Sequence, residues 1–312
     1  MTLLSFSSPL QSIVSAFFPN IHLWIKRDDL LHPSVSGNKF RKLKYNLMQA
    51  EERRPTLISM GGAWSNHLHA LAHAAQLLGL NSVGLVRGLR PSSYMSQMPL
   101  NATLQDCQSA GMQLHFVSRE DYRQLREDKD AWQRWVAKDH GNYLWLPEGG
   151  SNALAIKGVA ELIEEIRLAL NGLPDTIVLA CGTGATLAGI LAGLGGQGRV
   201  IGIAAVSNAD YLRQQVQQLL LDAGYPAYQN FDILLDFTHG GFAKTTPALL
   251  EFCAQFSHAT QIPIEPVYTG KMLYALRDLC ETGKFAKDER VVAIHTGGLQ
   301  GLRGFQSFSA HQ

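Results

Sequence analysis

Short apolar runs alternate with helix-length stretches along most of this 312-residue chain, a pattern that points to a sheet wrapped by helices and to little else. The runs are residues 56–60, 82–86, 112–117, 143–146, 176–180, 200–206 and 291–294. Between them helices are expected over 65–78, 99–110, 122–138, 153–170, from 184 onward, and 209–221. Strands joined by helices of this length make a mostly parallel sheet. Helices at 39–52, 247–256 and 270–280, with strands at 21–25 and 233–235, complete the reading. The first twenty residues, carrying Pro9 and Pro19, read as an approach segment, and a loop is expected at 90–93.

Three of the runs end in a polar turn rich in glycine: Gly61 to His67, Cys181 to Gly189 and His295 to Gly298. Open α/β sheets bind ligands at such strand ends. A fourth turn, Ser36-Gly37-Asn38-Lys39, sets a lysine where a turn gives way to a helix, so the backbone fixes its direction. A covalent lysine needs that placement, although a lone lysine is more often a solvated surface charge.

In Cys181-Gly182-Thr183-Gly184-Ala185-Thr186 the glycines let backbone N–H groups converge, the threonines offer hydroxyls, and the new helix adds positive potential. Such a turn cradles a phosphate; the alternative is a tight turn needed for packing. It is a poor dinucleotide fingerprint, because Leu187 occupies the third glycine position and no acidic residue ends the next strand. Ser65 and Asn66 stand where they either cap a helix or help its N–H groups hold a carboxylate. Tyr268 has a proton to give or take, and Thr269 a hydroxyl for a ring nitrogen; the alternative is a buried tyrosine beside an N-cap.

His69 and His73 share a helical face, but alanine at 70 and the lack of a third ligand make structural histidines the reading and metal none. Lys26-Arg27-Asp28-Asp29 reads as an ion-paired strand end or a substrate contact. A formal net charge of +1 gives nucleic acid or an anionic membrane nothing to recognise. The four cysteines are widely spaced with no CxxC pair, and no apolar run reaches membrane-spanning length, so a cytoplasmic protein is expected. A positioned lysine, a phosphate cradle and a carboxylate site without metal describe a pyridoxal-phosphate enzyme.

Taken with Lys26-Arg27-Asp28-Asp29-Leu30, Gly37-Asn38-Lys39-Phe40-Arg41-Lys42-Leu43, Ser65-Asn66-His67 and Glu265-Pro266-Val267-Tyr268-Thr269-Gly270-Lys271, these turns resemble the D-cysteine desulfhydrase and 1-aminocyclopropane-1-carboxylate deaminase family from about residue 8 to 305. The resemblance implies a tryptophan-synthase β-like fold (fold type II): two open, twisted, mostly parallel sheets flanked by helices. A smaller domain, 52–152, would be inserted in a larger one, 1–51 and 153–312, with the site in the cleft between them.

By the same resemblance Lys39 is the Schiff-base lysine and Asn66 meets the cofactor's 3′-oxygen. Cys181, Gly182, Thr183, Gly184, Ala185 and Thr186 hold its phosphate, Thr269 faces the pyridine nitrogen, and His295 and Thr296 complete the cofactor site. Ser65, Asn66 and His67 meet the substrate carboxylate, and Tyr268 lies beside the reacting carbons. Lys39, Ser65 and Tyr268 form the catalytic set, with a homodimer as the assembly.

Aminocyclopropane deaminases of the family typically carry glutamate after the motif tyrosine and glutamine after Ser-Asn, where this chain has Thr269 and His67. A neutral partner weakens the electron sink, which suits loss of a thiol better than opening of a cyclopropane. Trp64 replaces a frequent glutamine, and Phe242 stands where the family usually has tyrosine, so both reshape the substrate pocket. The expected reaction converts D-cysteine to pyruvate, hydrogen sulfide and ammonia. Aminocyclopropane deamination is the alternative, and a ligand-binding homologue with impaired catalysis is a third.

Overall fold

A computed structural model of the chain describes residues 7–88, 100–136 and 141–305. Its strands are β1 (Leu10–Ile13), β2 (Ile21–Lys26), β3 (Thr56–Gly61), β4 (Ser82–Arg87), β5 (Met112–Val117), β6 (Tyr143–Leu146), β7 (Thr176–Cys181), β8 (Arg199–Ala204), β9 (Phe231–Leu234) and β10 (Glu289–Ile294). The helices are α1 (Asn38–Arg53), α2 (Asn66–Leu78), α3 (Ala102–Ser109), α4 (Arg119–Glu127), α5 (Ala153–Leu170), α6 (Ala185–Leu194), α7 (Leu212–Asp222), α8 (Pro247–Thr260) and α9 (Thr269–Glu281).

Two sheets result. One has the order β1-β2-β10-β7-β8-β9, parallel except for β1, and the other the order β5-β4-β3-β6, parallel throughout. Strand alternation explains why both are covered on two faces. Ile177, Leu179, Cys181, Val292 and Ile294 pack with α5, α6 and α7 on one side of the larger sheet. Val178, Ala180, Val291 and Ala293 pack with α8 and α9 on the other. In the smaller sheet Leu57 faces α2 and α3, while Ile58 and Met60 face α4. Helix α1 joins that smaller core through Phe40, Leu43, Leu47 and Ala50, and it also packs along α5.

The approach segment contains a strand. Leu10 to Ile13 pair antiparallel with Lys26 to Leu23, a short edge strand whose mixed polarity leaves no periodic trace in sequence. The helix expected over 122–138 starts earlier, because Ser118 caps it by accepting the Asp121 N–H at 3.0 Å. It also stops at Glu127, where the Asp128 side chain accepts the Asp130 N–H at 2.9 Å and turns the chain. Likewise α3 begins at Ala102 behind the Asn101 cap, and β8 ends at Ala204. Residues 137–140 and the loop expected at 90–93 lie outside the described residues.

The charged end of β2 is an ion-paired knot, as one of the two sequence readings has it. Arg41 donates to Asp28 at 2.7 and 2.8 Å and to Glu165 at 2.7 and 2.9 Å. Lys26 reaches Glu165 at 2.5 Å, and Arg27 grips Asp29 at 2.9 and 2.7 Å. Although burial works against its charge, Arg41 and Lys26 hold the Glu165 carboxyl below its ordinary range. Strand β2 and α5 are thereby tied to α1, the helix that carries Lys39.

Candidate active site

The ends of β3, β7 and β10 open onto one cavity of about 840 Å³. Lys39 enters it because Gly37 lets two backbones touch. At φ 69° and ψ −152°, a Cβ on Gly37 would lie 2.0 Å from the Thr296 oxygen, so only glycine fits. The Gly37 N–H donates to Asp28 O and the Asn38 N–H to Thr296 O, each at 3.1 Å. Lys39 Nζ then donates to Asn38 Oδ1 at 2.9 Å, and Asn38 Nδ2 donates to Thr186 Oγ1 at 2.8 Å. The lysine is thus coupled to the turn after β7.

Burial lowers the Lys39 amine from its ordinary 10.5 to about 8. A base whose folded value is depressed is penalised in full below that value, and the penalty disappears as pH rises toward the unfolded value. In the ligand-free protein, Lys39→Met is therefore expected to raise stability by roughly 3 kcal/mol at pH 7. The gain should fade between pH 8 and 10.5, which urea unfolding of the two proteins across that range measures; a pH-independent difference would contradict burial of the charged amine as its source.

The turn after β7 is built to receive an anion. Gly184, at φ 80°, begins α6 with no side chain capping it, so the first N–H groups of the helix point outward. Thr183 Oγ1 is held 2.9 Å from Ser151 Oγ, and the Tyr268 ring lies over Gly182, 3.3 Å from where a Cβ would stand. Cys181 is buried with its thiol pushed up to about 12, which keeps it neutral.

A second lysine lies beside this turn. Lys42, one helical turn after Lys39, is buried, lines the same cavity and donates to Gly149 O at 3.1 Å. Burial, and then the charge of Lys39, hold its amine well below the ordinary range. Two amines and an open helix end in one cavity favour a bound anion strongly. In sequence Lys42 is only one of several basic residues on α1; its spacing of three from Lys39 is the one signal that sets it apart.

At the start of α2, Ser65 Oγ accepts the Leu68 N–H at 3.2 Å, and its carbonyl accepts from His69 at 3.1 Å. The N–H groups of Asn66 and His67 fall at helix positions without intrahelical partners, where a carboxylate is stabilised. Asn66 is oriented by Gln300, which donates to its Oδ1 at 2.8 Å. Ser59 donates to Leu146 O at 2.7 Å, so it must accept from His67 Nε2–H at 2.8 Å. His67 Nδ1 is then a buried lone pair with no partner among the described residues. Burial, with Lys39 and Lys42 nearby, keeps the ring neutral. The His67 side chain offers the cavity an acceptor, not the donor that a carboxylate requires.

Tyr268, Trp64 and Phe242 line the cavity together with Thr296. Thr269, Ala185 and His295 are buried and do not line it. His295 uses both ring nitrogens on the backbone, 2.8 Å from Pro263 O and 3.2 Å from the Gly297 N–H; it holds the turn that Lys39 leans on. Behind α9, Glu265 accepts from the N–H groups of Val267, Tyr268 and Thr269 at 2.6 to 3.1 Å, while burial pushes its carboxyl up to about 7. Lys271, which sequence does not single out, is buried and donates to Gly241 O at 2.7 Å and Ala205 O at 3.3 Å.

His69 and His73 are used structurally, His69 Nε2 at 3.1 Å from Asp106 and His73 Nδ1 at 2.9 Å from the His69 carbonyl. Among the described residues no three His, Cys, Asp or Glu side chains gather as a metal site. No helix of the described residues is long and apolar enough to cross a membrane.

The fold and the cavity define an α/β protein with an uncapped helix start beside a buried amine. The chain belongs to the pyridoxal-phosphate dependent enzymes, whose family profile matches residues 8–297. It is 34% identical over 296 residues to the bifunctional D-cysteine desulfhydrase/1-aminocyclopropane-1-carboxylate deaminase of Arabidopsis thaliana, covering 90% of this chain and 73% of that one. The crystal structure of an ACC deaminase homologue superposes with a TM-score of 0.83 at 25% identity, covering 99% of this chain and 95% of that one. A hydrogen sulfide-producing enzyme from Fusobacterium nucleatum shares the fold at a TM-score of 0.69 and 14% identity, over 96% of this chain and 98% of that one.

Membership makes pyridoxal 5′-phosphate the cofactor and a small amino acid the substrate at the level of the family. The residues present fit that group. Its phosphate matches the uncapped α6 end beside Lys42, its aldehyde matches Lys39, and the unpartnered His67 Nδ1 is a polar atom that a bound polar group would satisfy.

Proposed function

We propose that this protein removes hydrogen sulfide and ammonia from D-cysteine, leaving pyruvate, with Lys39 as the covalent lysine and the proton carrier. Bound pyridoxal phosphate would supply an electron sink for the carbanion formed at the substrate's α-carbon. The observation that carries the reading is the Lys39 amine, lowered to about 8 and aimed into the cavity that holds the uncapped α6 end.

A lysine at that value is partly neutral near pH 7.5, so it accepts a proton from the α-carbon and later returns one. Asn66 and His67 would orient the substrate carboxylate through their backbone N–H groups, with Ser65 fixing the helix end that presents them. Tyr268, packed over Gly182, would cover the reacting carbons and keep water out. Residues 182–186 with Lys42 would bind the phosphate, and Thr269 would face the ring nitrogen. A hydroxyl there leaves the sink weaker than a carboxylate would, which supports thiol elimination.

The names of the relatives favour a second reading, deamination of 1-aminocyclopropane-1-carboxylate, either alone or alongside the first. The deciding measurement is a panel of both cysteine enantiomers, D-serine and 1-aminocyclopropane-1-carboxylate, scored for sulfide, ammonia and keto acid. Sulfide and pyruvate from D-cysteine are the expected products. 2-Oxobutyrate from the cyclopropane alone would replace the first reading by the second, and no product from any of the four would favour a ligand-binding homologue.

The proposal extends to a division into an inserted unit, 52–152, and a larger unit, 1–51 with 153–312. It is supported by the two sheets, which share no strand, while α1 lies in the smaller core and packs along α5. Four buried, unpaired cysteines suit a reducing cytoplasm. A homodimer rests on the family resemblance.

A further inference from the structure

Lys271 is a buried cation for which the reaction above has no use. Its side chain is wholly enclosed, and it stands in the first turn of α9, where the helix dipole opposes a positive charge. Among the described residues its hydrogen bonds go to two backbone oxygens and to no carboxylate, Gly241 O at 2.7 Å and Ala205 O at 3.3 Å. Fully buried lysines without a paired acid are rare. Burial lowers the amine to about 8, while the charge of Glu265, which accepts the N–H groups leading into α9, works the other way. The group is therefore mostly protonated at neutral pH.

The two oxygens belong to different parts of the site. Ala205 follows β8, and its N–H donates at 3.0 Å to the carbonyl of Cys181, where the uncapped turn before α6 begins. Gly241 lies in the loop between β9 and α8, in which His239, Gly240, Gly241 and Ala243 all have positive φ. That conformation is unfavourable for the histidine and the alanine, and it persists only where the surroundings hold it.

The other hydrogen bonds of residues 236–245 are local. The Gly241 N–H donates to Thr238 O, the Lys244 N–H donates to Gly241 O, and His239 Nδ1 lies 3.0 Å from Thr246 Oγ1. Among the described residues, the bond from Lys271 is thus the one hydrogen bond that ties this loop to another element. The loop carries Phe242, which lines the main cavity and meets Tyr268 edge to face at 6.1 Å between ring centres.

We propose that Lys271 is a positioning residue, a tethered cation whose ammonium clamps the loop bearing Phe242 to the strand end beside the turn before α6, and so fixes one wall of the main cavity. Converging backbone carbonyls are ligands that a potassium ion accepts in place of water, and the lysine supplies an ion of similar size without recruiting one. Cutting the side chain back to alanine therefore leaves a space that free potassium or ammonium fills. Methionine leaves none, because it occupies the same space with uncharged atoms. The ion-binding half of the proposal stands on this geometry, while its effect on turnover rests on the elimination reading above.

The parent protein, Lys271→Ala and Lys271→Met provide the test, each in potassium, ammonium or tetramethylammonium chloride at equal ionic strength. Thermal unfolding without cofactor comes first. Potassium and ammonium should raise the midpoint of Lys271→Ala with increasing concentration, and leave the parent and Lys271→Met where tetramethylammonium puts them. On protein loaded with pyridoxal phosphate, both variants should lose about a hundredfold in kcat/KM for D-cysteine in tetramethylammonium chloride, the worth of a misplacement of about 1 Å. The visible absorbance of the loaded protein should be retained, because neither Lys39 nor the α6 end is held by the loop. Potassium should restore most of the lost turnover in Lys271→Ala and none in Lys271→Met.

A midpoint of Lys271→Ala that potassium leaves unchanged, or an equal rise in Lys271→Met, would overturn the clamp. Turnover of Lys271→Met equal to the parent's would remove the positioning role. No product from the parent with any substrate of the panel would overturn the elimination reading, and the unfolding midpoints would still decide the clamp.

Discussion

Replacing Lys39 with alanine is expected to reduce keto-acid release by 10²- to 10⁴-fold or more, the usual worth of a positioned proton carrier. Loss of the covalent attachment should add to this. The same variant should bind pyridoxal phosphate more loosely and lose the visible absorbance of the loaded protein. Folding should be preserved, because among the described residues the Lys39 amine bonds only the neighbouring Asn38 side chain and removing a penalised buried charge costs nothing. Steady-state assays with the best substrate of the panel, beside absorbance spectra, check both halves. Turnover within tenfold of the parent enzyme would remove Lys39 from the reaction.

The second large effect concerns stability. Arg41 is buried between Asp28 and Glu165 and makes five hydrogen bonds to their oxygens and to Ser8. Arg41→Ala would leave the Asp28 carboxylate with only the Ser8 hydroxyl, and Glu165 with Lys26 and the Ser8 N–H, among the described residues. Breaking such a pair from one side costs about 3–5 kcal/mol, so urea unfolding should show a loss of that order. Replacing Arg41 by methionine and Asp28 by leucine, with Glu165 kept as the partner of Lys26, should recover much of it, because no charge is then left unpaired. A loss under about 1 kcal/mol for Arg41→Ala would mean that water reaches the knot.

The sheet, its parallel sense and the turns at its strand ends are legible in the sequence because each rests on local chemistry: apolar runs, glycines and helix starts. Lys39 is legible for the same reason, since Gly37 and Asn38 mark its turn. What sequence does not reveal depends on partners distant in the chain. Lys42 and Lys271 look like surface lysines until folding buries them against Gly149, Ala205 and Gly241. The acceptor character of His67 follows from Ser59 and Leu146, residues on two other strands. Strand β1 needs only one neighbour and so carries little pattern. The motif places the histidine at 295 in the cofactor site, whereas its ring is occupied by Pro263 and Gly297.

Strand β10 lies between β2 and β7 although both precede it in the chain. During biosynthesis those two strands cannot join directly, and each waits with a bare hydrogen-bonding edge until residues 289–294 leave the ribosome. Thr296, which clasps Gly37 and Asn38, follows immediately. In the nascent chain Lys39 therefore has no fixed direction until the central gap in the sheet is closed.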